Sequence, residues 1–156
     1  MKTIPLTQGQ FTIVDNENYK ELSKFKWYAL KTNCGDYVAV RAVYEPKHCT
    51  IYMHRQIMNC PKGMQVDHRF HNQLDNRKSK LRICTNTQNL YNSKSRKGTS
   101  QFKGVSWHRL SGKWRAQISI NGQQTYLGLF DNEIETAKAY DKVAKMFFGE
   151  FARTNF

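Results

Sequence analysis

The run M-Q-V-D-H-R-F-H-N-Q-L-D-N-R-K-S-K-L-R-I-C-T-N-T-Q-N-L-Y-N, Met64 to Asn92, organises the reading of the chain around it. A short apolar-alternating segment, Met64 to Val66, delivers Asp67 and His68 side by side, and a polar loop rich in Asn follows. A second apolar run covers Leu81 to Cys84, after which Thr85 or Asn86 is a good N-cap for a helix carrying Asn89 and Asn92. The implied order is strand, loop, strand, helix.

A carboxylate beside an imidazole, with amide oxygens returning on a helix, supplies hard-oxygen metal ligands and a base that titrates near neutral pH. Asp67 and a helix Asn can hold Mg2+, with Mn2+ as a substitute, while most of the ion's sites stay with water and phosphate. His68 can take a proton from an attacking water, a combination that suits phosphodiester hydrolysis. Over its whole length the stretch resembles the HNH nuclease motif, the ββα-metal finger. That resemblance implies metal ligation by Asp67 and Asn89, a general base at His68 and a bracing role for Asn76. It usually reads D-H-I-D-G-N and S-N-L-R; here Phe70 and His71 stand where Asp and Gly are common, and Lys80 where Asn is common. A Gly often marks positive φ, so His71 signals a reshaped turn or some loss of activity. His71 is also a rival base, ranked below His68 because only His68 adjoins the carboxylate. Asn92, one turn after Asn89, is the rival ligand, and Asn86 is read as the cap.

The 156 residues carry a formal net charge of +13 and a hydrophobic fraction of 39%, enough to form cores in one domain or two small ones. From Asn76 to Phe130 there are 11 Lys or Arg and no Asp or Glu, so almost all the excess lies in the middle of the chain. Interleaved with Trp107, His108, Trp114 and Tyr126, this block suits a phosphate backbone better than a membrane. There is no apolar run near 18 residues and no signal-peptide pattern. The expected location is therefore the cytoplasm of a prokaryotic or phage-infected cell. Cys34, Cys49, Cys60 and Cys84 include no C-x-x-C pair, and they read as reduced thiols packed mostly as small apolar groups.

Upstream of the central stretch, Thr3 to Leu6 and Gln10 to Val14 read as strands around a turn at Thr7-Gln8-Gly9. Asp15-Asn16-Glu17 caps a brief helix, Asn18 to Phe25, with Tyr19, Leu22 and Phe25 on its apolar face. Lys26 to Leu30 and Tyr37 to Val43 read as a hairpin, Thr50 to Met53 as a strand and His54 to Met58 as a helical turn. His54 is a candidate neighbour of the central site. Arg55 and Arg82 are candidates either to hold a scissile phosphate or to form structural ion pairs.

After Asn92, residues 93 to 100 read S-K-S-R-K-G-T-S, a basic linker signature. Beyond it, Phe102 to Trp107, Lys113 to Ile120 and Gln124 to Phe130 alternate like three antiparallel strands, with a favoured hairpin turn at Asn121-Gly122. Ile134 to Phe148 reads as a helix whose stripe of Ala137, Tyr140, Ala144 and Phe147 lies on the sheet. Trp114, Ala116, Ile118 and Ile120 face that helix, and Arg115, Gln117 and Ser119 face away. The series F-K-G-V-S-W, G-K-W-R-A-Q-I, Y-L-G-L-F, A-K-A-Y-D-K-V-A and F-A-R-T-N-F resembles the AP2/ERF DNA-binding domain over residues 101 to 156. The resemblance implies DNA contacts at Lys103, Ser106, His108, Arg115, Gln117, Ser119, Gln124 and Tyr126, in a face with less Arg than plant members carry.

The expected fold class is α+β: a small antiparallel β scaffold leading into a ββα-metal finger, then a three-stranded sheet packed on one helix. Residues 1–95 form the first domain with its nuclease core at 50–95, residues 96–100 the linker, and residues 101–156 the second domain. The expected function is that of a homing-type endonuclease which docks on duplex DNA and nicks one strand, one protomer making one cut. Two alternatives stay open: a duplex DNA-binding protein whose catalytic site has decayed, and an RNA-binding protein.

Overall fold

The computed structural model describes residues 1–94 and 98–156. Ser95, Arg96 and Lys97 lie outside the described residues, and with them part of the expected linker at 96–100. The described residues form an α+β fold of small antiparallel sheets and four α-helices. They divide into two compact units, Met1–Asn86 and Thr87–Phe156.

The first unit opens with β1 (Lys2–Pro5) and β2 (Phe11–Val14), an antiparallel hairpin. Gln8 and Gly9 have φ of 59° and 68°, the positive pair that matches a two-residue hairpin turn to strand twist. α1 (Asn16–Leu22) follows and stops short of the expected Phe25, which lies outside the helix. Asp15 precedes α1 without capping it; its carboxylate instead accepts the Lys78 backbone N–H at 2.8 Å. β3 (Tyr28–Lys31), β4 (Tyr37–Val43) and β5 (Cys49–Tyr52) form a three-stranded sheet that leads directly into α2 (Met53–Ile57). Ile4, Val14, Leu22, Trp27, Ala39 and Met53 are buried together as the core, the aliphatic side chains larger than Ala each contributing about 1.5–3 kcal/mol. Met53, fully buried, anchors the first residue of α2 and so fixes where His54 begins.

β6 (Gln65–His68) and β7 (Leu81–Cys84) pair antiparallel, and α3 (Asn86–Tyr91) follows at once. The order strand, loop, strand, helix is thus present. Asn86 is the first residue of α3 and its side-chain oxygen accepts from Gln65 Nε2 at 3.1 Å, so the position preceding the helix belongs to Thr85. All four thiols are free, but only Cys84 is buried; Cys34 and Cys49 are exposed, Cys34 in the turn between β3 and β4 and Cys49 at the first position of β5.

In the second unit β8 (Val105–His108), β9 (Lys113–Ile120) and β10 (Gln123–Phe130) form the expected sheet in the order β10-β9-β8, with α4 (Glu133–Phe148) packed on it. A bulge between Tyr126 and Gly128 inserts Leu127, which packs against the core. Asn132 caps α4, its side-chain oxygen accepting from the N–H groups of Ile134 and Glu135 at 2.8 and 3.3 Å. The buried stripe is Ala137, Tyr140, Ala144 and Phe148 rather than Phe147, which is 54% exposed. Eleven residues span just over three whole turns, so Phe148 returns to the line of Ala137 where Phe147 falls to its side. Buried Asp141 accepts the N–H groups of Asn155 and Phe156 at 2.9 and 3.0 Å and so ties the segment after α4 to the helix.

Gly104, at φ +76°, brings the β8 entry against α4: a Cβ there would sit 2.0 Å from Tyr140 Cδ2. Gly104→Ala is expected to destabilise the second unit by about 3 kcal/mol through left-handed strain and overpacking. Thermal unfolding of the full chain checks this, and an unchanged Tm would overturn the packing described.

Candidate functional site

Successive residues of a strand point to opposite faces, so adjacent Asp67 and His68 are divided between two sets of partners. Both are buried, with 6% and 8% of their surface exposed. Asp67 stands opposite Arg82 in the β6–β7 register. Arg82 donates from Nε and Nη2 to the same oxygen, Asp67 Oδ2, at 2.8 and 2.6 Å. With Arg82 also buried, removing either partner would leave an uncompensated buried charge, a loss of about 3–5 kcal/mol. Of the two readings open for Arg82, the geometry is that of the structural ion pair. Arg55 donates to the backbone carbonyls of Met64 at 2.8 Å and Pro61 at 3.4 Å, bracing the entry to β6.

His68 faces a different network. Its Nε2 lies 3.2 Å from Asn76 Oδ1, Asn76 Nδ2 donates to Thr12 Oγ1 at 2.7 Å, and the Thr12 hydroxyl donates to the Leu74 carbonyl at 2.8 Å. A carbonyl can only accept, so the single Thr12 proton is committed to Leu74, and Thr12 Oγ1 must accept from the Asn76 amide. Asn76 therefore presents its oxygen to the imidazole. Nε2 must then carry the proton, and Nδ1 is the basic nitrogen. Asn76 and Thr12 are both fully buried. The loop bearing Asn76 is docked on β2 by two backbone hydrogen bonds, Ile13 N to Leu74 O and Asn76 N to Ile13 O, both 2.8 Å. Asn76 was legible as a brace, but Thr12 was not, because the two lie 64 residues apart.

Burial is the main influence on His68 and lowers its pKa, while the Asn76 hydrogen bond, Asp67 and Asp75 act in the opposite direction. The ring is thus neutral near pH 7, the state a proton acceptor needs. His54, carried by α2, packs against it with ring centroids 5.2 Å apart at 78°. Burial, then the neighbouring His68 and Arg55, lowers the His54 pKa to about 3. Its Nδ1 is buried with no hydrogen-bond partner among the described residues. His54 is therefore a neutral wall of the site, settling its candidate position as a neighbour.

The loop between β6 and β7 shapes a cavity of about 230 Å³ lined by His68, Phe70, Asn72, Asp75, Arg77 and Lys80. His71 adopts φ 61°, so the backbone keeps the left-handed conformation that Gly usually serves, and strain is its cost. Arg77 donates Nε to Asp75 Oδ1 at 2.7 Å, which with the adjoining ion pair holds the Asp75 carboxyl below its usual range.

Asn89 and Asn92 lie on or just beyond α3, beyond the division at Asn86, and belong to the second unit; Asn92 is buried there. On the sheet of that unit, Ser106 pairs with Arg115, Gln117 with Tyr126 and Ser119 with Gln124, and His108 follows Ser106 at an interval of two. The register puts these seven expected positions on one face. Arg115 Nε lies 3.3 Å from Ser106 Oγ, and Tyr126 is 60% exposed. Lys103 differs: its ammonium donates to the Tyr91 and Ser93 carbonyls at 2.6 and 2.9 Å, and burial, with Arg153 nearby, lowers its pKa to about 8. Among the described residues no helix is long and apolar enough to cross a membrane.

No family model matches the chain. It is 32% identical over 149 residues to an uncharacterised HNH endonuclease of Acanthamoeba polyphaga mimivirus, an alignment covering 95% of this chain and 76% of the viral protein. Over 62 residues it is 45% identical to APETALA2-like protein 2 of rice, Oryza sativa subsp. indica, which covers 38% of this chain and 14% of that protein. An AP2-like ethylene-responsive transcription factor of Arabidopsis thaliana matches at 43% over 67 residues, 40% of this chain and 14% of its own. The chain belongs to the HNH endonuclease family and carries an AP2/ERF-like segment.

Replacing Thr12 by Val keeps the shape and removes the hydroxyl that orients Asn76. Thr12→Val is expected to lower stability by about 1–3 kcal/mol and to turn the single His68 Nε2–H tautomer into a mixture, seen in imidazole 15N shifts. Retention of one tautomer would show that the hydroxyl does not set it. His54 gives a pH prediction whose sign follows from its lowered pKa: the folded ring stays neutral while the unfolded one takes a proton below pH 6.5. Stability should fall as pH drops from 6.5 towards about 3, by up to about 1.4 kcal/mol per pH unit. Denaturant titrations of wild type and His54→Phe check it, the variant losing this part of the slope.

Proposed function

We propose that the protein is a metal-dependent, homing-type DNA endonuclease that docks on duplex DNA through its AP2-like sheet and hydrolyses one phosphodiester bond at His68. The observation that carries this reading is the hydrogen-bond chain from Leu74 through Thr12 and Asn76, which leaves His68 Nδ1 as the basic nitrogen. Nδ1 takes a proton from the attacking water. Nε2–H stays on Asn76 throughout, so the imidazolium formed is held in place, with Asp67 and Asp75 favouring its positive charge.

The donor set fits Mg2+ or Mn2+: one carboxylate and one amide, both hard oxygen ligands, for an ion that takes its other sites from water and phosphate. Asp67 would hold it through its carboxylate, which Arg82 also engages at Oδ2. Asn89, the third motif residue, is proposed as the second ligand on the strength of the motif alone. When bound, the ion supplies Lewis-acid stabilisation of the charge on phosphate and the departing 3′ oxygen. The products are a 5′-phosphate and a 3′-hydroxyl. One base per protomer makes one cut, so a monomer nicks. Ser106, Arg115, Gln117, Ser119, Gln124 and Tyr126 are proposed to face the DNA, with Arg and Gln suited to base edges.

A second reading, DNA binding without cleavage, is favoured by one observation, the capture of Asp67 by Arg82. Nicking of supercoiled plasmid carrying the gene's own flanking DNA, with Mg2+ or Mn2+, separates the two. Wild type and His71→Ala are expected to yield open circles while His68→Ala loses at least about 100-fold in rate yet still shifts the plasmid on a gel. If wild type shifts the plasmid and nicks none of it with either ion, the non-cleaving reading replaces the enzyme.

A further inference from the structure

The lip of the cavity at His68 carries a residue pair that proton transfer and metal ligation do not use. Phe70, two positions after His68 and lining the same cavity, is 68% exposed and belongs to neither core. An aromatic ring held in water at the mouth of a catalytic cavity has unspent apolar surface. Lys80 sits across the loop, its backbone carbonyl accepting the Arg69 N–H at 2.9 Å, and its ammonium lies 4.6 Å from the centre of the Phe70 ring. One face of the ring is thus covered by a cation, which restrains the side chain without burying it.

The cavity, about 230 Å³, is smaller than the roughly 300 Å³ at which pockets begin to enclose drug-sized ligands. It suits a phosphodiester, flanked by Lys80, and leaves the adjoining bases outside, at the level of Phe70. Base faces in intact duplex DNA are stacked on each other, so an exposed ring reaches one only by entering between two base pairs, as apolar wedges do at the cost of unstacking.

We propose that Phe70, braced by Lys80, is a wedge that enters the base step beside the scissile phosphate and makes the protein prefer steps that open easily. This rests on the reading of the protein as one that engages duplex DNA at His68, and it adds a rule for where along DNA that site settles. The DNA-facing sheet selects the region; the wedge selects the step. A mismatch removes part of the unstacking cost in advance, so the wedge should convert a mismatch into extra affinity.

The test is competition binding of the full chain to duplexes that share one sequence, taken from the gene's flanking DNA, fully paired or with a mismatch placed at successive steps. In wild type at least one mismatch position is expected to tighten binding by about tenfold. Phe70→Ala should abolish that preference, Phe70→Leu should keep most of it because an apolar wedge remains, and Lys80→Gln should reduce it. Phe70 is exposed, so thermal unfolding is expected to be unchanged and a folding defect is separable. A preference unchanged in Phe70→Ala overturns the wedge, as does a wild type that binds paired and mismatched duplexes alike. Because the readout is binding, it separates from nuclease activity: failure to nick with the mismatch preference intact would sink the enzyme and leave the wedge standing.

Discussion

A hydroxyl proton can be given to one acceptor at a time, and the proton of Thr12 goes to the Leu74 carbonyl. The orientation of the Asn76 amide, the tautomer of His68 and the position of its basic nitrogen all follow from that commitment. Every member from Thr12 to His68 is buried, so water does not offer a competing partner and a half-satisfied arrangement would be costly. The scaffold ahead of the motif therefore orients Asn76 and, through it, the His68 ring. The β1–β2 hairpin supplies Thr12 and, through Ile13, the backbone edge on which the Asn76 loop is held.

The second constraint is the buried pair of Asp67 and Arg82. Arg82 is planar and forked, and its Nε and Nη2 both donate to Asp67 Oδ2. The same pleat that aims Asp67 at Arg82 aims His68 at Asn76, so one strand separates the proposed ligand from the proposed base without a loop between them. Around these groups the walls are neutral or paired. His54 stays uncharged through burial, and Asp75 is held by Arg77.

The second unit is built on different terms. Its sheet is one-sided: α4 covers the face of Ala116 and Ile118, and the other face presents Arg115, Gln117, Ser119, Gln124 and Tyr126. Two close fits set its geometry, Gly104 against Tyr140 and Asp141 on the Asn155 and Phe156 backbone. These account for a Gly in F-K-G-V-S-W, an Asp in A-K-A-Y-D-K-V-A and an Asn in F-A-R-T-N-F by packing and hydrogen bonding rather than by any contact with a ligand.

What the sequence determined by itself is the part written in short periods. Alternation placed β7 and β9 at their observed bounds, the Asn121-Gly122 turn joined β9 to β10, and the adjacency of Asp67 and His68 put both on β6. It also marked Asn76 and the odd residue at His71, whose positive φ is the local conformation a Gly would have announced. The tertiary structure decided what depends on residues far apart or on a helix angle: Phe148 rather than Phe147 in the α4 stripe, Lys103 turned to carbonyls, and Arg82 closed on Asp67. Thr12 is the clearest case. A threonine in a short strand has no pattern that distinguishes it, and only the folding of β2 against a loop 64 residues away makes its single proton decide which nitrogen of His68 is basic.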